Sequence, residues 1–272
     1  MRVTTSGQKP SLKCCNLLPM LRVSILLAFV ALALEPLAQT LPSRRYTTRD
    51  GLVADRITVI TQDHQGFMWM GSLFGLSRYD GNRFTTINLP PAQRNKYVTS
   101  LLAADGKLYA GFLFNGCIME YDNGRITAHY IEPGKQSARN DVMALYDHPS
   151  GILVMNTLNE VHLFRDNAFL LIASLGNTPA SSMISDSKER IWIGTSKGLM
   201  LFEKGRMYPE PVMKRDVRYI QKTNDGMLVA LNENNITTIS LVNEQFQART
   251  VWQTPNSLYI PFPPIHRIPF GA

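Results

Sequence analysis

Apolar and polar positions alternate along most of this chain in short runs, each closed by Gly or by an Asp or Asn. That is the period-2 signature of half-buried strands joined by tight turns. The clearest instance is DHQGFMWMGSLFGLSRYDGNRF, residues 63–84. Asp63-His64-Gln65-Gly66 reads as a turn, in which the aspartate bonds the backbone ahead of it and the glycine takes positive φ. Residues 67–70 then alternate as a strand. Gly71 follows where a side chain would crowd a close backbone approach or bend, and Gly75 opens a return strand over 76–79. Asp80-Gly81-Asn82 is the next turn and 83–87 the strand after it. One such unit predicts three or four short strands.

The unit returns at residues 186–207 as DSKERIWIGTSKGLMLFEKGRM. The two align without a gap, placing Asp63 on Asp186, Trp69 on Trp192, Gly71 on Gly194 and Gly75-Leu76 on Gly198-Leu199. Weaker copies occupy 98–126, 142–169 and 217–246, the third of these five units having lost the central glycines. The turn positions Gly66, Gly106, Gly151, Glu189 and Gly226 recur about every 40 residues, a period that fits four-stranded propeller blades. The expectation is an all-β fold, a β-propeller of about five four-stranded blades. An irregular β-sandwich with chance turn similarity is the competing reading. The aligned tryptophans are expected to fill the wedges between blades, with stacking against a sugar ring as the alternative.

Composition supports a sizeable core: 272 residues, 44% apolar and 18% charged, with 18 glycines and 16 prolines. Residues 1–38 read as an export signal, basic residues preceding an apolar run over 23–34 that is too short for the roughly 20 residues of a membrane span. Cleavage after Ala38 is expected, an uncleaved N-terminal anchor being the alternative. Blades are assigned to 39–255, and 256–272 reads as the start of a further blade, cut short. Asp50-Gly51-Leu52 marks a turn ahead of a strand over 57–60, which in a propeller could also complete a blade begun at the other end of the chain. Of the +7 net charge, +3 sits in the leader, where Arg2, Lys9, Lys13 and Arg22 face Glu35. The rest is too mild and scattered to propose nucleic acid as a partner. Past Cys14 and Cys15 only Cys117 remains, so no internal disulfide forms in a mature chain, and Cys117 is expected to be buried and unreactive.

Asp50-Gly51-Leu52, the spaced set Asp63, Gly66, Trp69, Gly71, Gly75-Leu76 and Tyr79-Asp80, and Ile191-Trp192-Ile193-Gly194-Thr195 with Gly198-Leu199 together resemble the two-component regulator propeller repeat. The resemblance covers about residues 46–246. It implies the periplasmic sensor region of a hybrid sensor histidine kinase, an incomplete part of a seven-bladed ring whose signal is an oligosaccharide and whose kinase lies in segments missing here. Strands at open blade edges would then be available for self-association.

No catalytic, cofactor or metal residue is assigned. His64, His129, His148, His162 and His266 are dispersed without metal-ligand spacing, with His64 and His148 expected to be exposed in turns. No G-x-S-x-G elbow or phosphate-cradling loop occurs. The Asp-Gly turns lack the clustered carboxylates of a calcium site. Ligand contacts are expected in the loops from Gly111 to Gly116 and from Asn156 to Glu160, which break the template at equivalent places. A secreted propeller glycoside hydrolase or lyase, and a truncated product without function, are the other readings.

Overall fold

The computed structural model describes residues 43–94, 96–113, 116–132, 140–208, 211–223, 226–242 and 245–253. The assigned leader, the start of a further blade and His266 lie outside them. The chain divides into two units, 1–45 and 46–272, and the second carries the fold. Among the described residues it holds five four-stranded antiparallel sheets, each a simple meander in chain order. The first strands of successive sheets pack against one another, Ile57–Gln62 on Val98–Ala104, then Val142–His148, Ala180–Ser185 and Tyr219–Lys222. Those strands form the inner edge and the fourth strands the outer edge, so the sheets are propeller blades. Among the described residues, the fifth sheet does not pack on the first as consecutive sheets do, so the propeller is incomplete. Ile57–Gln62 is the innermost strand of the first blade's own sheet, not a closing strand for the last, because only the short turn after Asp63 separates it from its partner Met68–Ser72.

Alternation along each second strand buries both faces. Ile152 and Val154 pack toward the second blade, against Tyr109 and Ile118. Leu153 and Met155 pack toward the fourth, against Met183, Ile191 and Ile193. The tryptophans sit where the repeat predicts: Trp69 is 2% exposed between the first and second blades, among Leu101, Leu108 and Met119, and Trp192 is 1% exposed between the fourth and fifth.

A size code runs through these interfaces. A Cβ on Gly71 would meet Val98 Cγ1 at 2.6 Å, one on Gly111 would meet Val142 Cγ1 at 2.5 Å, and one on Gly194 would meet Val217 Cγ1 at 2.9 Å. Each glycine therefore receives a valine from the following blade. In the third blade the register puts Met155 where the others have glycine, and the following blade presents Ala180 where the others present valine. The third repeat is thus complementary rather than degenerate. Met155→Gly alone is expected to cost about 3–5 kcal/mol by opening a cavity, and Ala180→Val alone about 1–3 kcal/mol by overpacking. The double variant should recover at least about 1 kcal/mol relative to the sum, as read by denaturant unfolding. Strict additivity would mean the two side chains do not share the site.

A bulge at the same point of the inner strand adds a polar latch. The register skips Thr58, Thr99, Met143 and Ser181 in the first four blades. Thr58 donates its hydroxyl to the Val98 carbonyl at 2.7 Å, Thr99 to that of Val142 at 2.6 Å, and Ser181 to that of Val217. Met143 carries no hydroxyl; the third and fourth blades are tied at the opposite strand end, by Ser185 Oγ to the Asp147 carbonyl at 3.1 Å.

The two outer faces of the arc differ. Residues 46–54 cover the first blade's: Gly51 adopts φ 105° after a one-turn 3₁₀ helix, Leu52 and Ala54 are buried, and Val53 donates its N–H to Ser77 Oγ at 2.9 Å. Tyr46 stacks edge-on against Phe84 and bonds the Tyr79 hydroxyl. On the fifth blade, the face turned away from the fourth carries the cross-strand row Tyr219, Leu231, Ile236 and Trp252.

Candidate functional site

The side chain that organises each strong repeat is an aspartate. In the first blade Asp63 Oδ1 accepts the N–H groups of Gln65 and Phe67, both at 3.0 Å, closing the turn as the sequence predicts. Its other oxygen accepts Trp69 Nε1–H at 2.7 Å. The fourth blade repeats the arrangement: Asp186 takes the Lys188 and Arg190 N–H groups and Trp192 Nε1–H at 2.9 Å. Both indoles are enclosed and their one polar atom is bonded within the protein, the burial expected of wedges between blades. Residues six apart across a turn give no periodic signal, so the Asp–Trp tie was not visible in the sequence.

The two repeats diverge around this tie. In the fourth blade Arg190 Nε donates to Asp186 Oδ2 at 2.6 Å, with both side chains largely enclosed, and its guanidinium lies 5.0 Å from the Phe246 ring centroid. Burial raises the Asp186 pKa, but the bonds from Trp192, the Lys188 backbone and Arg190 outweigh it and hold the carboxyl below its usual value. Because the folded pKa is depressed, the unfolded chain binds the proton more readily in acid. The stabilisation is therefore complete above the unfolded value near 3.9 and is lost as pH falls through the folded one. Asp186→Asn is expected to flatten the pH dependence of stability below about pH 5, measured by urea unfolding. An unchanged slope would exclude Asp186 as its source.

In the first blade Phe67 stands where the fourth has Arg190, and Arg78 stands where it has the fully buried Leu201. Arg78, on the third strand, lies over the Phe67 ring at 4.4 Å and near the Trp69 ring at 5.7 Å. The exchange leaves a groove of about 270 Å³ between the first two blades, at the end where first strands turn into second and third into fourth. Arg78, Asp63, Trp69 and His64 form its first-blade side, and Tyr121, edge-on to Trp69 at 4.9 Å, with Lys107 its second-blade side. Lys107 is bonded to Glu120 at 2.8 Å. His64 is exposed there, as expected of a turn residue.

The described residues of the two loops singled out by sequence lie at the opposite end, and both approach Asn140. A Cβ on Gly116 would come within 3.3 Å of Asn140, whose Oδ1 accepts from Asn156 Nδ2 at 2.7 Å. Asn156 Nδ2 also reaches Glu160 at 2.8 Å, and Asn156 Oδ1 accepts the Leu158 and Glu160 N–H groups. His162 is 3.2 Å from Glu160. This cluster is buried and spends its hydrogen bonds on closing the loop, the job Ser72 and Thr195 do in the first and fourth blades. The template is broken there for turn geometry.

His148 is half-buried rather than exposed: its Nδ1 accepts the Ser150 N–H and its Nε2 lies 3.3 Å from the Glu189 carbonyl of the next blade. His129 packs against Phe164. Cys117 is fully enclosed beside Gln93, and burial pushes its thiol up to about 11, which keeps it protonated at neutral pH. Among the described residues, no group of three or more His, Cys, Asp or Glu is placed to hold a metal.

Five meandering four-stranded sheets, wedged by tryptophans and keyed by glycines, define the chain as an incomplete β-propeller. Residues 51–74, from the Gly51 turn through the Asp63 turn and the Trp69 strand, match the two component regulator propeller family, so the first blade carries that repeat. No curated protein sequence matches the chain. Among solved structures, the extracellular domain of a putative hybrid two component system from B. thetaiotaomicron is 16% identical, with a TM-score of 0.46 over 75% of this chain and 34% of that one. PorZ, a surface component of the type-IX secretion system of Porphyromonas gingivalis, is 16% identical, with a TM-score of 0.50 over 76% of this chain and 27% of that one. Virginiamycin B lyase from Staphylococcus aureus is 11% identical, with a TM-score of 0.57 over 71% of this chain and 69% of that one. At such identities the likeness is one of fold. The chain spans about a third of the length of the first of these structures.

Proposed function

We propose that this chain is a ligand-sensing propeller module of the cell envelope, exported by its N-terminal leader and non-catalytic in these residues. It takes an oligosaccharide-type signal and passes it by domain rearrangement to signalling domains of a two-component system. The observation that carries this reading is the two component regulator propeller match in the first blade, on a scaffold whose repeated Trp, Gly and Asp residues are committed to holding blades together. Such a scaffold leaves recognition to grooves and loops.

The full chain should be screened by thermal unfolding against a panel of neutral and acidic oligosaccharides, with each ligand recovered and weighed by mass spectrometry. One class raising the midpoint while remaining chemically intact supports the reading, since a ligand at 100 times its Kd adds roughly 2.7 kcal/mol. A flat response across the panel counts against sensing of sugars. Cleavage of a ligand would move the chain to the hydrolase or lyase class.

A further inference from the structure

We infer that the groove between the first two blades is a carboxylate-binding subsite anchored by Arg78. Three observations carry it. The Arg78 guanidinium has no hydrogen-bonding or ion-pair partner among the described residues: it is held only by ring contacts, 4.4 Å from Phe67 and 5.7 Å from Trp69. Stacked against a ring, a guanidinium keeps its edge and its fork of N–H donors available, which is the geometry that receives a planar carboxylate in two parallel bonds. The charge is also not needed to fold the repeat, because the aligned residue of the fourth blade is Leu201, fully buried. The fourth blade's own arginine, Arg190, is by contrast paired with Asp186 and packed on Phe246.

The groove selects the charge of its ligand. Asp63 borders it, with bonds from two backbone N–H groups and the indole, and Lys107 is bonded to Glu120. Arg78 thus supplies one unspent positive charge beside one carboxylate, which suits a monoanion and disfavours a dianionic phosphate or sulfate. Tyr121, half-buried against Trp69, gives the ligand's body a flat wall. A cavity of about 270 Å³ admits a single ring. A sugar acid and an aromatic acid share this chemistry.

The test is titration of the full chain with glucuronate and with benzoate, followed by calorimetry, with glucose, benzamide and inorganic sulfate as comparisons. At least one carboxylate should bind, and glucose, benzamide and sulfate should not compete with it. Arg78→Leu, which installs the fourth blade's own residue, should weaken that binding about 10- to 100-fold, the loss of a charge-assisted hydrogen bond, with the thermal midpoint showing that the variant folds. Which carboxylate binds identifies its source. Failure of both carboxylates to bind, equal binding of their neutral counterparts or of sulfate, or affinity unchanged in Arg78→Leu would overturn the assignment. A negative result here leaves the sensing proposal standing, because that proposal is read from the oligosaccharide panel.

Discussion

Gly198→Ala is expected to cost at least about 3 kcal/mol, the larger of two effects that a pair of aligned glycines can separate. Gly75 and Gly198 open the third strands of the first and fourth blades with nearly the same backbone, φ 136° and 138°. That region is open to glycine and strained for any residue with a Cβ, at about 1–3 kcal/mol. Around Gly75 a new Cβ finds only Leu89 and Val53 methyls at 3.7 Å, ordinary contact distance. Around Gly198 it would fall on the Met213 carbonyl oxygen and come within 3.0 Å of that carbonyl carbon. Met213 cannot retreat freely, since its carbonyl accepts the Leu199 N–H at 2.9 Å and Val212 donates to the Leu199 carbonyl at 2.8 Å. Gly75→Ala therefore carries backbone strain alone, and Gly198→Ala carries strain plus a collision with main chain. Urea unfolding of both variants should show the second well below the first. Equal losses would mean that residues 212 and 213 do not hold that position.

Removing an indole comes next in size. Trp192→Ala should lose about 3–5 kcal/mol, the range for deleting a large aromatic from a closed core. For a domain of this length that corresponds to a fall in Tm of roughly 6–20 °C. Two terms contribute. The ring is enclosed by Leu228, Ala230 and Ile239 of the fifth blade, so its loss opens a cavity between blades. Its Nε1–H is also one of the bonds holding the Asp186 carboxylate, so the substitution leaves a buried acceptor short of a donor. Trp192→Phe separates them, keeping most of the ring and removing the donor, and should lose about 1–3 kcal/mol. A double-mutant cycle with Asp186→Asn should then show coupling; a loss below about 1 kcal/mol for Trp192→Ala would mean that the indole is not the wedge between blades.

The features legible in the sequence are those that recur at fixed spacing. Trp69 and Trp192, the glycines at 71, 75, 194 and 198, and the aspartate turns repeat along the chain, and the blades follow from them. What the sequence does not display joins residues with no common period. The tie between Asp63 and Trp69 crosses a turn, the Thr58 and Ser181 latches reach a neighbouring blade, and Met155 finds its complement in Ala180 a strand pair later. The same limit applies to the site. The loop from Asn156 to Glu160 departs from the template because an asparagine and a glutamate there replace a serine or threonine in closing the turn. Arg78 is equally silent in the sequence, because an arginine on a half-exposed strand is ordinary; it stands out only against Leu201 at the aligned position and with no acceptor bonded to its guanidinium among the described residues.

The size code between blades bears on how such a chain can be lengthened or recombined. A blade whose leading partner offers glycine must itself present valine, and one that follows a methionine must present alanine, so each unit carries a key for its predecessor and a lock for its successor. Copying the third blade and inserting it between others would set Met155 against a valine, and copying the fourth would leave a glycine facing Ala180. The second blade, which presents valine and offers glycine, is equivalent in this respect to the third and fourth taken together, and those two must travel as a pair. Gene duplication within this repeat is therefore constrained by one contact per interface, and a chimera that respects it should fold where one that ignores it does not.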